Sequence, residues 1–281
     1  MKKITTLMLL ASLLISANAH AAGPKNNPGL KVMSYNIRYA DADDGTNSWD
    51  FRAGASLEMI NDQKPDILGL QEAVERQVSF LQYFLDEYKH VGVGRDDGKR
   101  KGEHMAIFYN KKTIALKKWG TFWLSENPSK VGPGWDAKHN RTATWALMKD
   151  KKTGRMFYYV NTHLDHKGTV AREEGVKTLL SEIDKINTKG LPLVITGDFN
   201  MHPDNPNLLP LRARMKCTRE VAALTDNKNT SNGWGKPNQH IIDYIWFEGF
   251  GGCTEYETIT KPYGGKTFIS DHFPIRSILL F

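Results

Sequence analysis

Asn36, Glu72, Glu103, His163, Asp198, Asn200, Asp243, Asp271 and His272 share one setting in this chain: each opens or closes an apolar run of strand composition. Sheets can gather such ends at one edge, which would bring several carboxylates into a single cleft. Crowded carboxylates repel one another, so a bound cation is the natural remedy. An oxygen-dominated donor set suits hard Mg²⁺ or Mn²⁺. Zinc fits less well, because His163-Leu-Asp-His166 has few sulfur or histidine companions. His163 and His272, lying beside acids, suit proton transfer or the stabilisation of a phosphate.

The elements that must position these residues are legible around them. Leu191-Pro-Leu-Val-Ile-Thr-Gly-Asp-Phe-Asn200 is apolar without alternation, as expected of a strand buried on both faces. Gly197 is expected to relax its backbone where Asp198 and Asn200 project. Lys31–Ile37 reads as a first strand ending near Asn36. Ser48 or Asp50 can cap a helix carrying Leu57, Met59 and Ile60, which stops at Pro65 before Asp66–Leu70 delivers Gln71 and Glu72. A helix around Val74–Leu85 and a strand at Tyr88–Val93 lead into the basic, glycine-rich loop 94–102, and Glu103 and His104 precede the strand Met105–Tyr109. Strand composition recurs over Ile114–Leu124, Thr142–Met148 and Arg155–Leu164, with Arg141 closing the loop 125–140. A helix over Thr169–Ile186 carries Val176, Leu179, Leu180, Ile183 and Ile186 on one face. His240–Phe247 is a strand with Asp243 embedded in it, and Ser270-Asp-His-Phe-Pro274 precedes the last strand.

The 281 residues suffice for one large core, and no repeat or low-complexity tract divides them. Lys2 and Lys3, the apolar run Ile4–Ile15 and the small residues around Ala19 and Ala21 read as a secretory signal cleaved after one of those alanines. Residues 1–21 are thus a leader, 22–29 a short tail and 30–281 one domain, expected as a periplasmic or secreted monomer. The apolar run is too short to span a bilayer. Removing Lys2 and Lys3 takes the formal charge from +7 to +5, which permits an anionic substrate without requiring one. Cys217 and Cys253 could pair in an oxidising compartment or remain buried thiols.

In order along the chain, Ser-Tyr-Asn36-Ile, Gln-Glu72, Gly-Glu103, Asn-Thr-His163-Leu, Gly-Asp198-Phe-Asn200, Ile-Asp243-Tyr-Ile and Ser-Asp271-His272-Phe-Pro resemble the endonuclease/exonuclease/phosphatase superfamily. Asn47-Ser-Trp49, Gly94-Arg-Asp-Asp-Gly98, Gly134-Trp-Asp-Ala137 and His163-Leu-Asp-His166 are similar to its secreted bacterial branch nearest the nocturnin group. That branch usually has Thr-Phe-His-Gly where this chain has Thr230-Ser-Asn232-Gly233, so Asn232 occupies the place of a substrate-contacting histidine.

The resemblance implies a four-layer α/β sandwich, two packed mixed sheets flanked by helices, and a Mg²⁺-dependent phosphoesterase. It makes Glu72 the principal metal ligand, with Asn36 and Asp271 completing or orienting the site. Asp198 and Asn200 would handle the attacking water and the phosphate. Asp198 and His272 share water activation, and Asp243 orients His272. Glu103 pairs with His163, while His163 and Arg141 contact phosphate oxygens. For His104 and His166 the expectation is a structural role. Trp49, Trp135 and Trp234 fall in loops and are expected at the cleft rim, where with Lys99-Arg100-Lys101 they suit nucleic acid or a nucleotide. The alternatives are a hydrolase of sugar or inositol phosphates or of lipid headgroups, and a binding module that has lost its chemistry. The complete acid and histidine set argues against the last.

Overall fold

A computed structural model describes residues 29–237 and 239–281; the expected leader and nearly all of the tail lie outside them. The strands are β1 (Leu30–Asn36), β2 (Ile67–Gln71), β3 (Tyr88–Val91), β4 (Ile107–Asn110), β5 (Ile114–Trp123), β6 (Thr142–Asp150), β7 (Met156–His163), β8 (Leu193–Asp198), β9 (Lys216–Cys217), β10 (Asp243–Glu248), β11 (Gly252–Thr258) and β12 (Ile275–Leu280). The helices are α1 (Trp49–Gln63), α2 (Glu75–Phe84), α3 (Thr169–Ile186), α4 (Leu209–Arg214) and α5 (Thr218–Val221). One six-stranded sheet runs β11-β12-β1-β2-β4-β3 and the other β5-β6-β7-β8-β10-β9. Each is mixed, with one parallel pair, β1/β2 in the first and β7/β8 in the second.

The central strands are buried on both faces, and alternate residues serve different cores. Val32, Ile67 and Ile107 meet Tyr159, Val194, Ile245 and Phe247 between the sheets. Met33, Tyr35, Leu68 and Leu70 face outward against Met59 and Ile60 of α1 and Val78 and Leu81 of α2. Val160, Ile195 and Trp246 pack against Val176, Leu179 and Ile183 of α3 and Leu211 of α4. The layers are therefore helix, sheet, sheet, helix. Among the described residues no helix is long and apolar enough to cross a membrane.

A polar network pins the sheets together beneath the edge that carries the acids. Asn161 donates through Nδ2 to Leu70 O at 2.7 Å and to Ala106 O at 3.2 Å, and its Oδ1 accepts from Gln71 Nε2 at 2.6 Å. Gly69 is required by this close approach, since a Cβ there would lie 2.6 Å from both Asn161 Oδ1 and Thr196 Oγ1. Gly197 has the same cause: a Cβ would meet Thr162 O at 2.3 Å. Positive φ in this segment falls on Asn200, at 51°, and not on Gly197.

Two sequence expectations change, and a third question, left open by the sequence, is settled. Trp49 begins α1 rather than lying in a loop, and it is 4 % exposed, edge-on to Phe80 with ring centroids 5.6 Å apart. Ser48 precedes α1 but makes no capping bond with its side chain; in α2 the cap comes from Gln77, whose Oε1 accepts from Val74 N at 3.1 Å. Cys217 and Cys253 are both buried free thiols, one in the core under α3 and α4 and the other between the sheets, so no bridge joins them.

Candidate active site

Register gathers the site. The parallel pairs finish together, with Asn36 opposite Gln71 and His163 opposite Asp198. Strands antiparallel to these begin at the same edge, so β10 sets Asp243 opposite Asp198. By the same rule the segments just before β4, β6 and β12 bring Glu103, Arg141, Asp271 and His272 there. A cleft of about 600 Å³ opens on this edge, lined by Glu72, Glu103, Asp198, Asp271, Asn200, His163, His272 and Arg141. It is also lined by Arg38, Tyr39, Arg95, Asp96, Gly102, His139 and His166. Three of its residues, Arg38, Glu72 and Asn200, hold positive φ of 62°, 61° and 51°. Strain of this kind collects where a site over-determines its backbone.

Asn36 ties the acids together. Its Nδ2 donates to Glu72 Oε1 and to Asp198 Oδ2, each at 3.0 Å, and its Oδ1 accepts from Arg38 N at 3.0 Å. Two carboxylates on one side and a backbone N–H on the other fix which end is the amide nitrogen. Asn36 is thus arranged to orient the acids. Glu72 Oε2 accepts from Tyr39 N at 2.8 Å. Burial would raise the Glu72 carboxyl, but His272, Asn36, Tyr39 N–H and Arg38 together hold it below its ordinary value. Arg38 reaches Asp271 at 3.4 Å and is itself held by Asp44 at 2.8 Å.

His272 Nδ1 lies 2.9 Å from Asp243 Oδ2, and its Nε2 lies 3.9 Å from Asp198 Oδ2. Burial disfavours the charged ring, yet Asp243, Asp198 and Asp271 outweigh it and push its pKa well above the ordinary value. Asp198 is raised to about 7, by burial first and then by the charge of Asp243. On its other side Asp198 meets His163 Nε2 at 3.4 Å, while Asn200 N donates to Asp198 Oδ1 at 2.9 Å. Asn200 Nδ2 donates to Leu164 O at 3.0 Å and reaches His163 Nε2 at 3.1 Å, so that nitrogen accepts and the proton of a neutral His163 sits on Nδ1. Burial, then Arg141 and Arg95, keep His163 well below its ordinary pKa. Glu103, 3.9 Å from His163 Nδ1, is raised to about 7 by burial although Arg95 pairs with it at 2.6 Å.

Burial and mutual repulsion thus leave Asp198, Glu103 and Asp271 with raised pKa values, a floor with more negative charge than its surroundings satisfy. Every acidic donor is oxygen, so the set fits a hard divalent cation. Asp198, Asp243 and His272 form one group with ligand atoms within 4.8 Å of one another. The His272–Asp243 hydrogen bond occupies Nδ1 there, whereas Glu72 and Asp271 line the cleft, and each of their oxygens, though already partnered once, keeps a lone pair for a cation.

Three substrate-contact expectations are not met. Trp49 is in the core, half-buried Trp135 lies outside the cleft lining, and Asn232 is 4 % exposed. Asn232 instead holds the segment that carries Asp271 and His272, through Nδ2 to Ser270 O at 3.0 Å and N to Asp271 O at 2.7 Å. His166 was expected to be structural but lines the cleft, while His104 stays buried outside it. Sequence reasoning missed Arg38, Tyr39 and His139, and took Arg95 and Asp96 only as part of the Gly94–Gly98 motif in the basic loop 94–102. It also missed Arg52, 1 % exposed, which donates to the carbonyls of Ile37, Arg38, Asn47 and Ile269 and so fastens the loops behind the site.

No curated protein sequence matches the chain. Among solved structures, an endonuclease/exonuclease/phosphatase from Bacteroides vulgatus is 35 % identical, with 89 % of this chain and 98 % of that one covered and a TM-score of 0.84. The Bacteroides thetaiotaomicron mannosyl-6-phosphatase is 31 % identical over 90 % of this chain and 100 % of that one, at a TM-score of 0.84. The human nocturnin catalytic domain, solved with a bound sulfate anion, shares the fold at 20 % identity, 90 % and 93 % coverage and a TM-score of 0.73. The sequence profile of the Endonuclease/Exonuclease/phosphatase family matches residues 33–272. With that profile spanning both sheets and every motif that meets in the cleft, the chain belongs to this family of phosphoester hydrolases.

Proposed function

We propose that this protein is a divalent-metal-dependent phosphoester hydrolase acting on small, hydroxyl-rich phosphomonoesters. The observation that carries the substrate reading is the cleft wall, which is built mainly from arginines, imidazoles and carboxylates; Tyr39 is its one phenol ring, and none of the tryptophans expected to stack on bases is part of it. Likeness to a mannosyl-6-phosphatase at 31 % identity supports the same class. A second reading, a nucleic-acid phosphodiesterase, keeps the support of the net positive charge, +7 for the full chain and +5 once Lys2 and Lys3 leave with the leader.

Glu72 and Asp271 would hold Mg²⁺ or Mn²⁺, which when bound supplies positive charge to the phosphoryl group. Asp198, with a pKa near neutrality, accepts a proton from the attacking water. His272, charged and fixed by Asp243, turns its Nε2–H toward negative charge developing on the phosphoryl group. Asn200 and neutral His163 orient that group, and Arg141 donates to its oxygens. Glu103 steadies the Nδ1 side of His163. Export, proposed from the leader, would set this activity outside the cytoplasm.

The test is a panel of hexose 6-phosphates, p-nitrophenyl phosphate, its bis-ester, single-stranded RNA and single-stranded DNA, with Mg²⁺, beside Asp198→Asn. Monoester turnover that chelator abolishes is expected. Glu72→Ala should weaken Mg²⁺ binding in calorimetry, and Asp198→Asn should retain it. Cleavage confined to nucleic acid would overturn the substrate reading, and full turnover without metal would overturn the mechanism.

A further inference from the structure

His166 stands at the cleft, exposed, on the loop that follows β7. Its Nδ1 lies 3.0 Å from Arg141 Nη2. A guanidinium can only donate, so Nδ1 must accept, and the single proton of the neutral ring is forced onto Nε2. Arg141 is in turn held by Asp165, whose Oδ2 accepts from its Nε at 3.1 Å. Asp165 is 1 % exposed and is itself fixed by the N–H groups of Lys167, Gly168 and Lys138. The tautomer of His166 is therefore set by a rigid chain that starts in the backbone. No hydrogen bond engages Nε2 among the described residues, and His139 stacks on the ring with centroids 5.8 Å apart and planes at 21°.

We infer that His166 is a specificity-determining residue whose Nε2–H donates to a hydroxyl oxygen of a sugar-like alcohol carrying the scissile phosphate, an assignment that rests on the phosphomonoesterase reading. The wall around it mixes donors with acceptors. Arg95 stands 3.9 Å from the Asp96 carboxylate, Arg141 lines the same cleft, and each hydroxyl of a polyol can both donate and accept. A second anionic group on the substrate would face Asp96 and Glu103 and fits less well. A nucleobase would find no tryptophan to stack on.

The donor works only while His166 is neutral. The charged and titratable groups facing it are Arg141 from the start of β6, His139 from the loop before it, and Asp165, Lys167 and His163 from β7 and its loop. Burial, then Arg141, keep the ring below its ordinary pKa, so it is neutral at pH 7. Protonation removes the acceptor that Arg141 uses and sets two cations against each other.

The readout is the ratio of kcat/KM for mannose 6-phosphate to that for p-nitrophenyl phosphate, which cancels titrations common to both substrates. In His166→Ala this ratio should fall about tenfold through KM, the effect of one lost hydrogen bond. Glutamine can accept from Arg141 and donate to the cleft, so His166→Gln should restore most of it. As the pH drops below the ordinary imidazole range the ratio should fall more steeply in the wild type than in His166→Gln. An unchanged ratio in His166→Ala, or equal losses in the alanine and glutamine variants, would overturn the assignment. Nitrogen-15 NMR of the wild-type protein at pH 7 reads the tautomer without any turnover: Nε2–H is expected, and Nδ1–H or an imidazolium would refute the premise. Failure of the wild type to hydrolyse any phosphomonoester would instead reject the functional reading and leave that tautomer result standing.

Discussion

Replacing Asn161 by leucine should cost far more stability than replacing its partner Gln71 by methionine, although both are fully buried, similar in volume to their replacements and part of one network. Asn161 has four short contacts: Leu70 O, Ala106 O, Gln71 Nε2 and Thr196 Oγ1, the last at 3.1 Å. Each net hydrogen bond contributes about 1 kcal/mol, and stranding a buried partner adds more, so Asn161→Leu should lose roughly 4 kcal/mol. Gln71 differs because its Oε1 is already buried without a partner. Methionine removes that unsatisfied oxygen together with the bonds from Nε2, and Asn161 Oδ1 keeps Thr196. The two effects offset, and the net change should stay within about 1 kcal/mol. Urea unfolding followed by fluorescence measures both, with an unchanged slope showing that the unfolding reaction itself is the same. Equal losses in the two variants would refute the view that Asn161 is the pin between the sheets. At temperatures where Asn161→Leu remains folded, its kcat should also fall, because the pin fixes the spacing between Glu72 on one sheet and His163 and Asp198 on the other.

His272→Ala and Asp243→Asn should each reduce kcat by about a thousandfold, and the double variant should be little worse than His272→Ala, as expected of groups acting as one unit; multiplicative losses in steady-state kinetics would give Asp243 a separate role. Asp165→Asn should lower stability by roughly 2 kcal/mol at pH 7, since buried Asp165 accepts from three backbone N–H groups and a guanidinium. Burial raises its pKa, but the N–H groups of Gly168 and Lys167, then Arg141, outweigh it and depress it. A depressed carboxyl stabilises above its unfolded pKa, near 4, and that contribution fades as the pH falls below this value. The gap in Tm between wild type and Asp165→Asn should therefore narrow from pH 5 to pH 3, and a gap constant with pH would contradict the charge-based account.

Motifs around single strands could be read without a structure because their cause is local. The unbroken apolar run through Leu193, Val194 and Ile195 demands burial on both faces, and it became a central strand shared by two cores. The period of α3 placed the helix over Thr169–Ile186, the limits the structure gives. The polar residues at strand ends foretold one crowded edge, since parallel neighbours finish together and antiparallel ones start where those finish. Contacts between distant loops were not legible in this way. Trp49 and Trp135 have the composition of rim residues, but one begins α1 against Phe80 and the other lies outside the cleft lining. Asn232 looked like a substrate contact and proved to hold Ser270 and Asp271. Arg38 and His139 carry no local signal at all; they line the cleft because their loops fold over it. The tautomer of His166 depends on Arg141, 25 residues earlier in the chain and joined to it only across the mouth of the second sheet. Sequence determined which groups reach the edge, because burial and strand direction act within a few residues. Tertiary structure decided which of them face one another, because only packing between loops sets those distances.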